Sequence, residues 1–126
     1  MNRAKQSARK AVMPELEQAG RDLAVTMRVL APRDTGALED SIEVTYPGQS
    51  TPAYSQPGGS RTAKESEVLI TAGNDGVRYP HLVEYGTADT DAQPFFWPAW
   101  RLSRKKIRDR IGRRFRKAIK DAWTNR

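Results

Sequence analysis

The chain has 126 residues and no cysteine, enough for one domain and with no disulfide, thiolate metal site or cysteine nucleophile to draw on. No apolar run approaches the ~20 residues that cross a bilayer, and none follows the basic Arg3, Lys5, Arg9 and Lys10, so no membrane span or secretory signal is expected. The net charge of +7 is unevenly placed: residues 1–100 carry a net −3 and residues 101–126 a net +10, so the basic end is expected to meet something negative.

Residues 3–30 read as helical. Val12, Leu16, Ala19, Leu23, Met27 and Leu30 recur every three or four positions and form one apolar stripe. Pro14 interrupts that stripe. The helix either kinks there or starts there with Pro14 in its first turn, which would leave residues 1–12 as a flexible basic arm. Ala31-Pro32 ends the helix. Asp34 or Thr35 can cap the short helix that follows, and the alternation of Ile42, Val44 and Tyr46 predicts a strand over 41–46.

Residues 47–63 are rich in Pro, Gly and Ser and show no apolar period, which predicts a long flexible loop. Glu67 to Ala72 reads as a strand. Gly73-Asn74-Asp75-Gly76 is a turn, from which Val77 to Tyr79 could pair back as a hairpin. His81 to Tyr85 suits one helical turn, with a short strand as the alternative. A polar loop then leads to Phe96, Trp100, Ser103, Ile107, Ile111, Ala118 and Ala122, whose spacing predicts an amphipathic helix from about 96 to 122. Gly112 inside it costs about 1 kcal/mol relative to Ala; it allows close approach of another backbone or is simply tolerated. The expected architecture is α+β: a small antiparallel sheet packed against a long N-terminal helix and a long basic C-terminal helix, in one domain. Leu, Ile, Val and Phe total only 22 of 126 residues, so the core is lean and burial against neighbouring subunits is expected to add to it.

No catalytic constellation is visible. The chain lacks a Walker pattern, a G-x-G-x-x-G turn, an H-E-x-x-H pair and a nucleophile elbow. Its single histidine, His81, cannot build a multi-histidine metal site and reads as a packing or hydrogen-bonding residue. Asp89 and Asp91 share a loop and read as solvated acids rather than cation ligands. No enzyme activity and no cofactor is expected. The cluster of Phe95, Phe96, Trp97 and Trp100 is too large for one helix face, so it is split between core packing and an anchor for a neighbouring subunit. Arg104, Lys105, Arg108, Arg113, Arg116, Lys117 and Lys120 are candidate contacts to an acidic partner or to DNA. Any DNA contact of this kind would be phosphate-driven, sequence-independent and salt-sensitive.

Two longer blocks carry a resemblance. The first is Ala31-Pro32-Arg33-Asp34-Thr35-Gly36-Ala37-Leu38-Glu39-Asp40-Ser41-Ile42. The second is Tyr79-Pro80-His81-Leu82-Val83-Glu84-Tyr85-Gly86-Thr87, followed by Gln93-Pro94-Phe95-Phe96-Trp97-Pro98-Ala99. In order, they resemble the A-P-x-D-T-G-x-L-x-x-S-I, Y-x-x-x-x-E-x-G-T and P-F-x-x-P-A blocks of the HK97 gp10-like family of tailed-phage proteins. The resemblance implies a structural virion protein, made in the bacterial host cytoplasm and incorporated at the neck or tail end. It further implies a homo-oligomeric, hexameric ring that meets neck, connector and tail-tube proteins, with genomic DNA passing nearby and no membrane involved. It marks Pro32, Asp34, Thr35, Gly36, Leu38, Ile42, Tyr79, Glu84, Gly86, Thr87, Pro94, Phe95 and Pro98 as structural motif positions. Leu38 and Ile42 are expected in the core. Glu84, if buried, must find hydrogen-bond donors, with the N–H groups of the Gly86-Thr87 turn as candidates. Loop 47–63 departs from the pattern, and its role stays open.

Overall fold

A computed structural model describes residues 2–33 and 36–124. Two helices dominate it, α1 (Asn2–Leu30) and α4 (Phe96–Thr124). Between them lie α2 (Ala37–Asp40), strands β1 (Glu43–Thr45) and β2 (Leu69–Thr71), and α3 (Pro80–Tyr85). The α+β architecture expected from the sequence is therefore present. Its centre is α1, against which both the small sheet and α4 pack.

The basic arm expected at 1–12 is not separate: from Asn2 onward it belongs to α1, which runs through Pro14. A proline inside a helix forfeits one backbone hydrogen bond and crowds the preceding turn. Here Pro14 faces solvent, while Ala8 and Val12 upstream of it are buried. Burial of that small apolar face holds the first turns in register. The buried stripe of α1 is Ala8, Val12, Ala19, Leu23, Ala24 and Met27, whereas the expected stripe member Leu30 is exposed at the helix end.

The helices run antiparallel. Arg110 of α4 donates from Nε to Glu15 and from Nη1 to Asp22 (3.2 Å), bridging two acids on α1. Hydrogen bonds from Gln18 (2.8 Å) and then from Arg110 hold the Asp22 carboxyl below the usual carboxylate range. The contribution of this exposed carboxylate is full above its ordinary pKa and is lost as the pH falls through the lowered one. Nearer the start of α4, Phe95, Phe96 and Ala99 join Leu23, Ala24, Met27, Ala31, Leu38, Ile42, Ala72 and Val77 in one cluster. Trp100, expected on the buried stripe, is instead more than a third exposed, and Ala99 takes the inward place.

β1 and β2 pair antiparallel with Val44 opposite Ile70. The expected hairpin over 77–79 does not form a strand. Asn74 and Val77 exchange backbone bonds of 2.9 and 3.1 Å that close the turn, and β2 pairs with β1 across the long loop instead. That loop is irregular, as its composition predicted, but it is fastened along its length. Gly48 donates to Ala63 (2.9 Å), Thr51 to Arg61 (2.8 Å), and Gln56 and Ala72 exchange bonds of 2.8 and 3.0 Å. Thr51, Ser55 and Ala63 are buried within it.

Two helical glycines have opposite surroundings. Gly20 is buried where α1 meets the sheet region, and a Cβ there would lie 2.9 Å from Val68 Cγ1. At Gly112 a Cβ would meet only the mobile end of Arg116, at 3.1 Å, so no backbone of the chain comes close. Gly112→Ala is expected to stabilise the chain by about 0.5–1 kcal/mol through helix propensity. Gly20→Ala meets an overpacking penalty of about 1–3 kcal/mol that cancels or exceeds the same gain. Thermal unfolding of the two variants checks this, and equal shifts would contradict it.

Candidate functional site

The motif blocks converge on one carboxylate. Pro80 opens α3, its fixed φ and missing N–H suiting the first helical position. Six residues of helix place Glu84 inward, and the residue is 7% exposed. A carboxylate removed from water needs donors. Glu84 Oε1 accepts from the N–H groups of Phe95 and Phe96, each at 2.9 Å, and Oε2 accepts from Trp97 at 3.2 Å. The donors are thus at the start of α4, not in the Gly86-Thr87 turn that the sequence reading favoured.

This arrangement completes the end of α4. The first N–H groups of a helix lack partners within it. Here Phe96 and Trp97 donate to Glu84, Pro98 has no N–H, and Ala99 donates to the Phe95 carbonyl at 3.4 Å. A negative charge also complements the positive end of the helix dipole. The carboxylate comes from eleven residues upstream, so one side chain both caps α4 and docks α3 against it.

Gly86 makes the return possible. Its φ of 77° is in the region that side chains disfavour, and a Cβ would lie 2.8 Å from Ala92 N and 2.9 Å from Thr90 O. Thr87 shapes the next turn: its Oγ1 accepts from Asp89 N–H (3.3 Å) and Thr90 N–H (3.1 Å). Gln93 N–H donates to the Val83 carbonyl at 2.8 Å, closing the loop onto α3. Pro94 is exposed beside buried Phe95, and Pro98 is half-buried in the first turn of α4. Tyr79 precedes α3 and is 39% exposed. His81, Asp89 and Asp91 face solvent.

The first block serves the same core. Leu38 and Ile42 are buried, half-buried Pro32 follows α1, and Gly36 takes a φ of 77° before α2. The proposed caps Asp34 and Thr35 lie outside the described residues. Two contributors to this region escaped the sequence reading. Ser41, fully buried, donates to the Leu38 carbonyl (2.7 Å) and accepts from Gly73 N–H (2.9 Å), tying the first block to the end of β2. Arg28 Nη2 donates to the Ile42 carbonyl at 2.9 Å. The signal available for Ser41 was its place as the serine of the A-P-x-D-T-G-x-L-x-x-S-I block; Arg28 gave none.

Around this capped joint the aromatics divide. Phe95 and Phe96 are buried and meet edge to face at 6.4 Å. Trp97 lies edge-on to Phe96 at 5.0 Å, and its Nε1 donates to the Tyr85 hydroxyl at 2.8 Å. Tyr85 is 69% exposed. Pro57, Pro80, Tyr85, Phe96 and Trp97 help line a shallow apolar pocket there. The candidate contact residues Arg104, Lys105, Arg108, Arg113, Arg116, Lys117 and Lys120 lie apart from it, all exposed along α4.

The family model described as "Bacteriophage HK97-gp10, putative tail-component" matches residues 1–86. The chain belongs to the HK97-gp10-like family. No curated protein and no solved structure matches the chain. Members of this family are structural components of phage tails. The HK97-gp10-like match takes in the first block, α3, Glu84 and Gly86, and stops before the third block and α4. Glu84 therefore lies inside the matched region and its three donors lie outside it. Among the described residues no helix is long and apolar enough to cross a membrane. No group of three or more His, Asp or Glu side chains among them is placed to hold a metal ion.

Glu84→Ala leaves the donors of Phe95, Phe96 and Trp97 without their acceptor and is expected to cost about 2–4 kcal/mol. Glu84→Gln keeps the shape and one acceptor oxygen and is expected to cost roughly half as much. Chemical denaturation of both variants measures the difference. A loss below about 0.5 kcal/mol for Glu84→Ala would show that the cap is dispensable.

Proposed function

We propose that this chain is a ring-forming structural subunit at the head–tail junction or tail terminus of a tailed phage or prophage-like particle, where it completes the tail and joins it to the head. The observation that carries this reading is its membership of the tail-component family through residues 1–86. The disposition of the motif residues supports a structural role, because Leu38, Ile42, Glu84, Gly86 and Phe95 all build one joint between α3, α4 and the core. The proposed site in the particle is the neck or tail end, with connector and tail-tube proteins as neighbours and a hexameric ring as the assembly.

The surface of a single copy is consistent with packing against others. Val25 (54% exposed) and Val29 (62%) on α1 and Leu102 (73%) on α4 are large exposed apolar side chains. Assembly would bury surface that a lean core leaves available.

Deletion of the gene from the producing phage, with add-back of purified chain, tests the proposal. Without the chain, DNA-filled heads and separate tails are expected to accumulate, and added chain is expected to restore joined particles. Joined, infectious particles assembled in its absence would overturn the reading.

A further inference from the structure

The outer face of α4 presents a row of cations, and the exposed Asp109 beside it pairs with none of them. Arg101, Lys105, Arg108, Gly112 and Arg116 follow at spacings of four, three, four and four, so they share one line along the helix. That line lies opposite the inward Ala99, Ile107 and Ala118. The four cationic members are exposed, and so are the flanking Arg104, Arg113 and Lys120. Among the described residues none of these seven has a carboxylate within ion-pair distance. The ion pairs of α4 are those of Arg110 with Glu15 and Asp22 and of Lys117 with Asp121, none of them in the row. Gly112 leaves the middle of the row without a side chain of its own, so a ligand backbone can lie against the helix there once Arg116 swings aside.

We propose that this face contacts the phosphates of double-stranded DNA without reading sequence. A second copy of the chain does not fit as the neutralising partner. Residues 1–100 carry only a net −3 against the +10 of residues 101–126, and each added copy brings a further +7. A ring built from this chain alone accumulates positive charge. Duplex DNA offers one negative charge per ~1.7 Å of axis. From Arg101 to Lys120 the helix extends about 29 Å, the length of roughly eight base pairs. The choice of DNA among polyanions rests on the particle role proposed above. The binding assay uses the isolated chain, so its failure is distinguishable from failure of that role.

The test is fluorescence anisotropy of the full chain with a labelled 20-base-pair duplex of random sequence, from about 50 to 300 mM NaCl. Two variants carry the same change in charge. One is Arg101→Glu, Lys105→Glu, Arg108→Glu and Arg116→Glu. The other is Arg3→Glu, Lys5→Glu, Arg9→Glu and Lys10→Glu. For the unaltered chain, log K against log salt is expected to fall with a slope of about −4 or steeper, roughly −0.9 per phosphate contact. The outer-row variant is expected to lose at least 100-fold in affinity at low salt, and the N-terminal variant less than tenfold. Should the outer-row variant fail to fold, Arg108→Gln alone is expected to reduce the slope by about 1. Equal weakening by both variants would assign binding to net charge rather than to this face. Absence of binding at 50 mM salt, or competition by polyglutamate as effective per charge as by DNA, would equally overturn the proposal; the latter would point to an acidic protein surface.

Discussion

The placement of α4 depends on one carboxylate. The N–H groups of Phe95, just before the helix, and of Phe96 and Trp97 in its first turn all donate to Glu84. The aromatic rings of the same three residues close the end of the core and the pocket beside α3. A shift of Glu84 would therefore move the cap and the core together. The polar contact fixes direction and the rings supply the apolar burial, and neither can be rearranged alone. Gly86 and the Thr87 turn make this geometry accessible to the chain, returning it from α3 to the start of α4 within a short loop.

Much of the frame was legible from spacing. The stripes at three and four residues located both long helices, the alternation of Ile42, Val44 and Tyr46 located β1, and the run from Glu67 to Ala72 located β2. The errors have physical causes. By local rules Pro14 marks either a kink or a helix start, but Ala8 and Val12 bury a face that carries α1 through it. Trp100 was placed inward by periodicity, but near the end of the helix pair the smaller Ala99 takes that position. The hairpin after β2 was plausible from its turn residues, yet β2 finds its partner in β1, across a loop held by its own ribbon of hydrogen bonds. Glu84 was recognised as an acid in need of donors. Their identity was not legible, because partners eleven to thirteen residues away depend on how the intervening loop folds back.

The chain separates two kinds of surface. One end of the fold, around the Glu84 carboxylate, is aromatic, with Trp97 and Tyr85 at its margin. The outer side of α4 is cationic along its length. The family match ends at Gly86, which places Glu84 inside it and the helix that Glu84 caps beyond it. The motif positions and the basic residues do not gather into one site.

The central claim, that this is a structural subunit of the joined particle, is tested most directly by an electron cryo-microscopy reconstruction of intact particles carried through the neck and tail end. A ring of this chain, recognisable by the paired long helices α1 and α4, is expected between the connector and the tail tube or at the tail terminus. Particles in which every ring of the neck and tail is filled by other proteins, with no density for this chain, would contradict it.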